Sequence, residues 1–522
     1  MVSINASNTT YDAIIFTEVH NPTVASKPLG AYKIASMLRE HGYSVLVVDH
    51  ISYWAPMELV NLLNRAVGKN TLFVGFSTTF FGDTSGNPDN HLVYAPDIKP
   101  IKISASFFPQ GKQLETSIVK YIKKINPDCK IVLGGTTLGQ DYNTNNKNVD
   151  IIIRGISENI IVDFANSLKN QQPLQNAVKN IWGITIVQDP SPEVYDYSVD
   201  RIRWGPEDVV NARVLPYELS RGCIFDCKFC SYPMRGKSSY KEHTVNSEIV
   251  YQYLLENWER YGISHYAMLD DTFNDSVDKL RDLHQAFKRL PFQPKFHAYV
   301  RLDLLSKHPE AEDLLFDMGW RAAFFGIESL DRKAASTIGK GYNANKMIET
   351  IRRLRSKFGD ELHMHGNFMV GLPHETKQSI ITTQQRILDQ DIPLHSASFP
   401  ALIIFKNLVD PSDIEKNWQN YGYREVGNNP YIVEWASEHM TFQEALELQN
   451  QFQIKKRGIL SCFRALYIWE TQNFPEVNSQ FDTFLEEIKD TDSAHYEKMK
   501  GYKKNFVEDY KKKLFELIGK HC

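Results

Sequence analysis

The chain has 522 residues, 42% of them hydrophobic, and a formal charge of -4 at pH 7. That length exceeds one ordinary core and calls for two or three domains, and so small a net charge speaks against a nucleic-acid stripe. No apolar run reaches the roughly 18 residues of a membrane span, the N-terminus has no secretory-signal pattern, and six cysteines, half of them clustered, fit a reducing cytoplasm better than a disulfide framework.

From the N-terminus, Val/Ile/Leu-rich strands are predicted at 12–18, 44–50, 71–78, 130–135 and 150–155. Amphipathic helices at 29–42, 57–68, 113–126 and 157–170 separate them. Continuous apolar strands alternating with helices predict a doubly wound parallel sheet. Ligands of such sheets bind beyond the strand C-terminal ends, where small residues let them approach the backbone. Those ends carry Ser77 and Thr78, then Gly134 and Gly135, then Gly155. No G-x-G-x-x-G follows the first strand, so a nicotinamide cofactor is unsupported. The loop at 83–105 is long enough to cover the ligand face. Residues 180–208 read as a hairpin and linker.

Downstream, strands at 212–220, 265–271, 295–305, 322–329, 363–373 and 396–405 alternate with helices at 247–262, 277–290, 309–319, 345–359 and 377–390. This is the pattern of parallel β/α units, whose functional residues gather at strand C-terminal ends. Asp270 and Asp271, Arg301 and Asp303, Glu328 and Ser329, and Gly371 with Pro373 and Glu375 occupy those ends. Each carboxylate alone could be a helix cap or a solvated loop residue; their recurrence at successive ends weakens that reading. From about 410 to the end the pattern is helical, with a Lys-rich terminal face and no catalytic motif.

The first strand of this second unit runs into LSRGCIFDCKFCSYP at 219–233, which holds Cys223, Cys227 and Cys230. A structural zinc site would need a second ligand pair, recruited from His243 or Cys462. Three thiolates on a cubane instead leave one iron open, as a catalytic metal requires. The spacing C-x3-C-x2-C, with Phe229 before the last cysteine, resembles the signature of the radical S-adenosylmethionine (SAM) superfamily. The runs LDDTF at 269–273, AEDLLFDMGWRAAFFGIESLDRKAASTIGKGY at 311–342 and NFMVGLPHET at 367–376 resemble further landmarks of its cobalamin-binding-domain branch. The N-terminal order PLGAYKIASMLREHGYSVLVVD at 28–49, GFS at 75–77, GG at 134–135 and GISE at 155–158 resembles the cobalamin-binding domain that precedes the barrel there.

The resemblance implies a cobalamin-binding-like domain at 1–180, a hairpin and linker at 181–210, a partial (β/α)6 barrel at 211–405 and a mainly helical domain at 406–522. It implies a [4Fe–4S] cluster on Cys223, Cys227 and Cys230, and reductive cleavage of SAM to a 5'-deoxyadenosyl radical. It puts Asp270 or Asp271 on the SAM ammonium, Arg301 on its carboxylate, Glu328 and Ser329 on the ribose, and Phe229 against the adenine. Cobalamin would lie on Ser77, Thr78, Gly134, Gly135, Gly155 and Glu158. The loop EVHNPT at 18–23 offers His20, with Glu18 and Thr23 where the cobalt-ligand motif has Asp and Gly, so cobalt without a protein nitrogen is expected. The activity implied is cobalamin-dependent methylation of an unactivated carbon or phosphorus centre in a small molecule or peptide, fed by a donor such as flavodoxin or ferredoxin. Radical rearrangement, oxidation or cyclisation without methyl transfer, or a non-catalytic zinc-knuckle protein, are the rival readings. A methylthiotransferase would need three further N-terminal cysteines that this chain does not have.

Overall fold

The computed structural model describes residues 10–18, 26–77, 119, 121–135, 149–179, 183–189, 195–212, 214–232, 234–340, 343–406, 411–429, 432–455 and 492–520. It divides into two compact units, one comprising Met1–Tyr195, Arg201–Ala212 and Tyr496–Cys522, the other Asp196–Asp200 and Arg213–His495.

In the first unit the strands are β1 (Ala13–Phe16), β2 (Val45–Val48), β3 (Phe73–Ser77), β4 (Lys130–Gly134), β5 (Ile151–Arg154), β6 (Ala177–Lys179) and β7 (Thr185–Gln188). Helices α1 (Leu29–Glu40), α2 (Pro56–Ala66) and α3 (Ile161–Lys169) connect them. The sheet order is β2-β1-β3-β4-β5-β7-β6, parallel except for β6. Chain direction along the sheet reverses between β1 and β3, which makes that crevice the ligand edge of a doubly wound sheet. The hairpin read as a linker is part of this sheet. β7 pairs parallel with β5, Ile152 opposite Ile186, so Ile186 joins the core instead of bridging domains.

The core of this unit collects Ile14, Phe16, Leu46, Val48, Val74, Phe76, Leu62 and Leu63, together with Tyr510, Leu514 and Ile518. Those last three come from the terminal helix, Asp492–Lys520. Residues expected as one C-terminal domain therefore distribute between the two units: from Tyr496 onward they belong to the first and up to His495 to the second.

The second unit is a six-stranded parallel sheet in chain order, β8 (Val214–Tyr217), β9 (His265–Met268), β10 (Lys295–Val300), β11 (Trp320–Glu328), β12 (His363–Phe368) and β13 (Ser396–Ser398). Its connecting helices are α4 (Ser247–Tyr261), α5 (Val277–Phe287), α6 (Leu302–Lys307), α7 (Glu310–Met318), α8 (Arg332–Thr337), α9 (Ala344–Phe358) and α10 (Lys377–Leu388). Uniform twist curls such a sheet into a partial barrel whose alternate residues face inward. Asn246, Ser276, Asn343 and Thr376 cap α4, α5, α9 and α10. The predicted strand at 295–305 stops at Val300. Asn274 accepts from the Arg301 amide (2.7 Å) and donates to its carbonyl (3.0 Å), which removes both from the ladder, and α6 begins at once.

Candidate active site

The loop after β8 is built by backbone contacts that need particular residues. Gly222 has φ +95°, and a Cβ there would lie 2.4 Å from the Met234 carbonyl oxygen, so only glycine fits. The Cys223 amide donates to that carbonyl (3.3 Å), Lys237 donates to the Cys223 carbonyl (2.9 Å) and the Cys230 amide to the Cys227 carbonyl (3.0 Å). The Lys228 amide donates to the Ile338 carbonyl (3.0 Å) at the end of α8. Gly339, at φ +78°, lets that corner pack against Cys227. The Ile338–Gly339 corner thus buttresses the cysteine loop.

All three cysteines are free thiols, Cys227 buried and Cys223 and Cys230 half-buried. Burial pushes the Cys230 thiol up to about 11 and raises Cys223 as well; a bound cation would supply the charge that offsets this. Among the described residues no three His, Cys, Asp or Glu side chains converge as ligands of one metal ion. Cys223 Sγ lies 3.2 Å from Thr272 Oγ1, and Arg301 Nη1 donates to Cys227 Sγ at 3.6 Å.

The polar strand ends sort into two groups. Asp271 is half-exposed and accepts from the Gly222 amide; burial first and Glu218 second push its carboxyl up to about 6. Asp270 points the other way. It is fully buried, accepts from the Ser220 hydroxyl, and stands beside Lys279, which pairs with Asp275 (3.0 Å). Asp275 in turn meets His243 Nε2 at 3.0 Å. Arg301, 8% exposed, gives Nε and Nη2 to Asp303 (3.0 and 2.9 Å) and lies 3.7 Å from the centre of the Phe225 ring. Ser329 donates to Glu375 (2.5 Å). Glu328 sits at φ +64° with Lys340 3.5 Å from Oε1, while Oε2 is buried with no hydrogen-bond partner among the described residues. Phe229 is half-buried in the turn before Cys230. Thr272, Phe225 and Glu218 were not singled out by the sequence. The signal for Thr272 is its position one residue past the Asp-Asp pair.

Farther down the barrel, Tyr299, Phe324, His365 and Ser396 stand in one register on four adjacent strands. Their successive rings are 5.3 Å apart. His365 is held by Ser396 (2.7 Å) and Ser398 (3.1 Å), and Ser398 donates to Asn367 (2.6 Å). Tyr299 is 45% and Leu269 42% exposed.

In the first unit, Gly134 ends β4 with no described atom within 4 Å of where its Cβ would stand. Ser77 ends β3 and Gly135 follows β4 at φ +134°. Gly155 has a structural reason: its Cβ would meet Asp189 Cβ at 2.8 Å. Glu158 pairs with Lys33 at 3.5 Å, both largely buried. Thr78, His20 and the loop at 83–105 lie outside the described residues.

Burial also pushes Glu375 from 4.5 up to about 8. Between those values the folded chain keeps a proton that the unfolded chain has lost, so stability falls as pH rises through this window. At about 1.4 kcal/mol per pH unit the loss is up to about 5 kcal/mol. Glu375→Gln, whose amide can donate to Ser329 while its oxygen accepts from the Leu372 amide, should flatten urea-unfolding stability between about pH 5 and 8 relative to the parent.

Residues 217–387 match the family model of the radical SAM superfamily. This stretch is a radical SAM domain. An uncharacterized methyltransferase of Pyrococcus horikoshii is 25% identical over 330 residues, which are 58% of this chain and 69% of the relative. The structure of the radical SAM methyltransferase TsrM from Kitasatospora setae, with tryptophan and a SAM analogue bound, superposes with a TM-score of 0.58 at 17% identity. It covers 84% of this chain and 83% of its own. OxsB, a cobalamin-dependent radical SAM enzyme with aqua-cobalamin and SAM bound, gives 0.56 at 15% identity over 96% of this chain and 71% of its own. A radical SAM domain implies a [4Fe–4S] cluster and SAM. Among the described residues no helix is long and apolar enough to cross a membrane.

Proposed function

We propose that this chain is a radical SAM enzyme, a cobalamin-dependent methyltransferase acting on an unactivated carbon or phosphorus centre of a small molecule or peptide. The observation that carries the reading is the union in one chain of a doubly wound sheet, whose β3 and β4 end in Ser77 and Gly134, and a barrel carrying the three-cysteine loop. Cys223, Cys227 and Cys230 would hold the cluster. When bound, it supplies one electron, drawn from a donor such as flavodoxin or ferredoxin, to the sulfonium of SAM.

The chain's own groups then bind and orient. Asp271 accepts from the SAM ammonium, whose charge would draw its carboxyl back down. Glu328 Oε2, which meets no hydrogen-bond partner among the described residues, accepts from a ribose hydroxyl, and Phe229 stacks on adenine. The exposed Tyr299 and Leu269 with the His365–Ser398–Asn367 row offer substrate an apolar side and a hydrogen-bonding side. Ser77, Gly134 and Gly135 would line the edge for cobalamin.

Glu328→Gln should weaken SAM binding about ten- to hundredfold while the cluster absorbance stays intact. Unchanged affinity would remove Glu328 from the ribose. The function itself is tested by anaerobic reconstitution with hydroxocobalamin and SAM labelled in its methyl group. Cobalamin should survive gel filtration, and label should enter a product formed from cell extract. SAM cleavage without retained cobalamin or labelled product would move the enzyme to non-methylating radical chemistry.

A further inference from the structure

We infer that Arg301 acts on the cluster and not on SAM: it is a hydrogen-bond donor to the sulfur of Cys227 that sets the cluster's reduction potential. The inference rests on the assignment of the three cysteines to a [4Fe–4S] cluster.

Arg301 is positioned as a clamp facing the loop. Its backbone is caught from both sides by Asn274, at 2.7 and 3.0 Å. Its Nε and Nη2 form a two-bond fork with Asp303, and its plane lies on Phe225. Nη1 is turned to Cys227 Sγ at 3.6 Å. A guanidinium binds an external carboxylate best with the fork that Asp303 already occupies. At 8% exposure, binding a ligand there would mean breaking a buried ion pair. Asp303 fixes the orientation of the guanidinium, and the charge cannot be lost by titration because Arg stays protonated.

The first cysteine has a backbone donor: the Phe225 amide donates to Cys223 Sγ at 3.4 Å. Thr272 Oγ1 lies 3.2 Å from the same sulfur, but its one proton goes to the Asp271 carbonyl at 2.8 Å, so the side-chain donor on this loop's sulfurs is Arg301. Donors to ligand sulfurs, and positive charge beside them, favour the reduced and more negative state of an iron–sulfur cluster. Arg301 should therefore hold the potential higher than the bare loop would.

The test uses the full chain, reconstituted anaerobically with iron and sulfide, in Arg301→Gln and Arg301→Lys forms. Midpoint potentials come from EPR-monitored redox titration without SAM, and SAM affinity is measured separately. Arg301→Gln should shift the midpoint to more negative values. Arg301→Lys, which keeps the charge but loses the fork that aims it, should recover part of the shift and still lie below the parent. SAM Kd should stay within about threefold in Arg301→Gln, below the tenfold that a lost charged contact exceeds. A midpoint unmoved in Arg301→Gln, or a SAM Kd raised tenfold or more, overturns the role of Arg301. If Arg301→Gln fails to fold, Arg301→Lys carries the test, and an unmoved midpoint there overturns the inference. A parent protein that takes up no iron would instead sink the cysteine assignment itself.

Discussion

Alanine at Cys223, Cys227 or Cys230 is expected to abolish both the visible charge-transfer absorption of the reconstituted protein and its cleavage of SAM. The loop that presents them is fixed independently of the thiols. Gly222 abuts the Met234 carbonyl, Lys228 bonds to the Ile338 carbonyl and Gly339 packs on Cys227. The substitutions should thus leave far-UV circular dichroism and the unfolding midpoint close to the parent, since each removes one sulfur from a partly exposed loop. Three ligands leave no spare thiolate, so one loss should cost the cluster outright instead of weakening it by degrees. Iron and sulfide analysis decides the matter. If the triple-alanine protein still takes up stoichiometric iron and cleaves SAM, the assignment is wrong. Gly222→Ala makes a companion: it keeps every sulfur but forces a Cβ against a backbone oxygen at positive φ, and should lower iron uptake without touching a ligand.

The elements whose signals are local were legible. The strands of both sheets show as Val/Ile-rich runs, and the cysteine loop shows in its spacing. What escaped depends on partners distant in the chain. The run at 295–305 alternates like one strand, and only Asn274, folded back from the previous connection, shows why the ladder ends at Val300. The hairpin around β6 and β7 has a strand pattern, but its pairing with β5 is a tertiary fact. Asp270 and Asp271 could have been separated. Strand alternation puts neighbours on opposite faces, and His265, Ala267 and Leu269 share the inward face with Asp271. Arg301 could not be read from its surroundings in the chain alone, because the same residue serves an external carboxylate or a clamp. Asp303, two residues on, takes the fork.

Deleting residues 492–522 is expected to unfold the first unit, although the strands of that unit lie some 300 or more positions earlier. The terminal helix buries Phe506, Val507, Tyr510, Leu514 and Ile518. The four aliphatic and phenylalanine side chains among them are worth roughly 6–12 kcal/mol of apolar burial, as an upper bound. A domain's whole stability is about 5–15 kcal/mol. Tyr510 adds directional contacts. Its hydroxyl donates to the Val47 carbonyl (3.1 Å) and accepts from the Asp49 amide (3.0 Å), capping the end of β2. Its ring lies 4.1 Å from the Lys27 ammonium, which is buried in a 2.9 Å pair with Asp49. Removing the helix would open that pair to water and strip the cover from Trp54 and Leu59 in the same core. Hydrogen exchange on the truncated chain should show β1, β2 and β3 losing protection while β10, β11 and β12 keep theirs. Tyr510→Phe keeps the packing and orphans the Asp49 amide, so it should cost only about 1–3 kcal/mol. Tyr510→Ala should cost more, about 3–5 kcal/mol, by leaving a cavity as well. Full protection of β1 to β3 in the truncated chain would show that the sheet stands without its terminal helix, and that the buried Lys27–Asp49 pair is held by α1 through Tyr32, which donates to the same carboxylate oxygen at 2.7 Å.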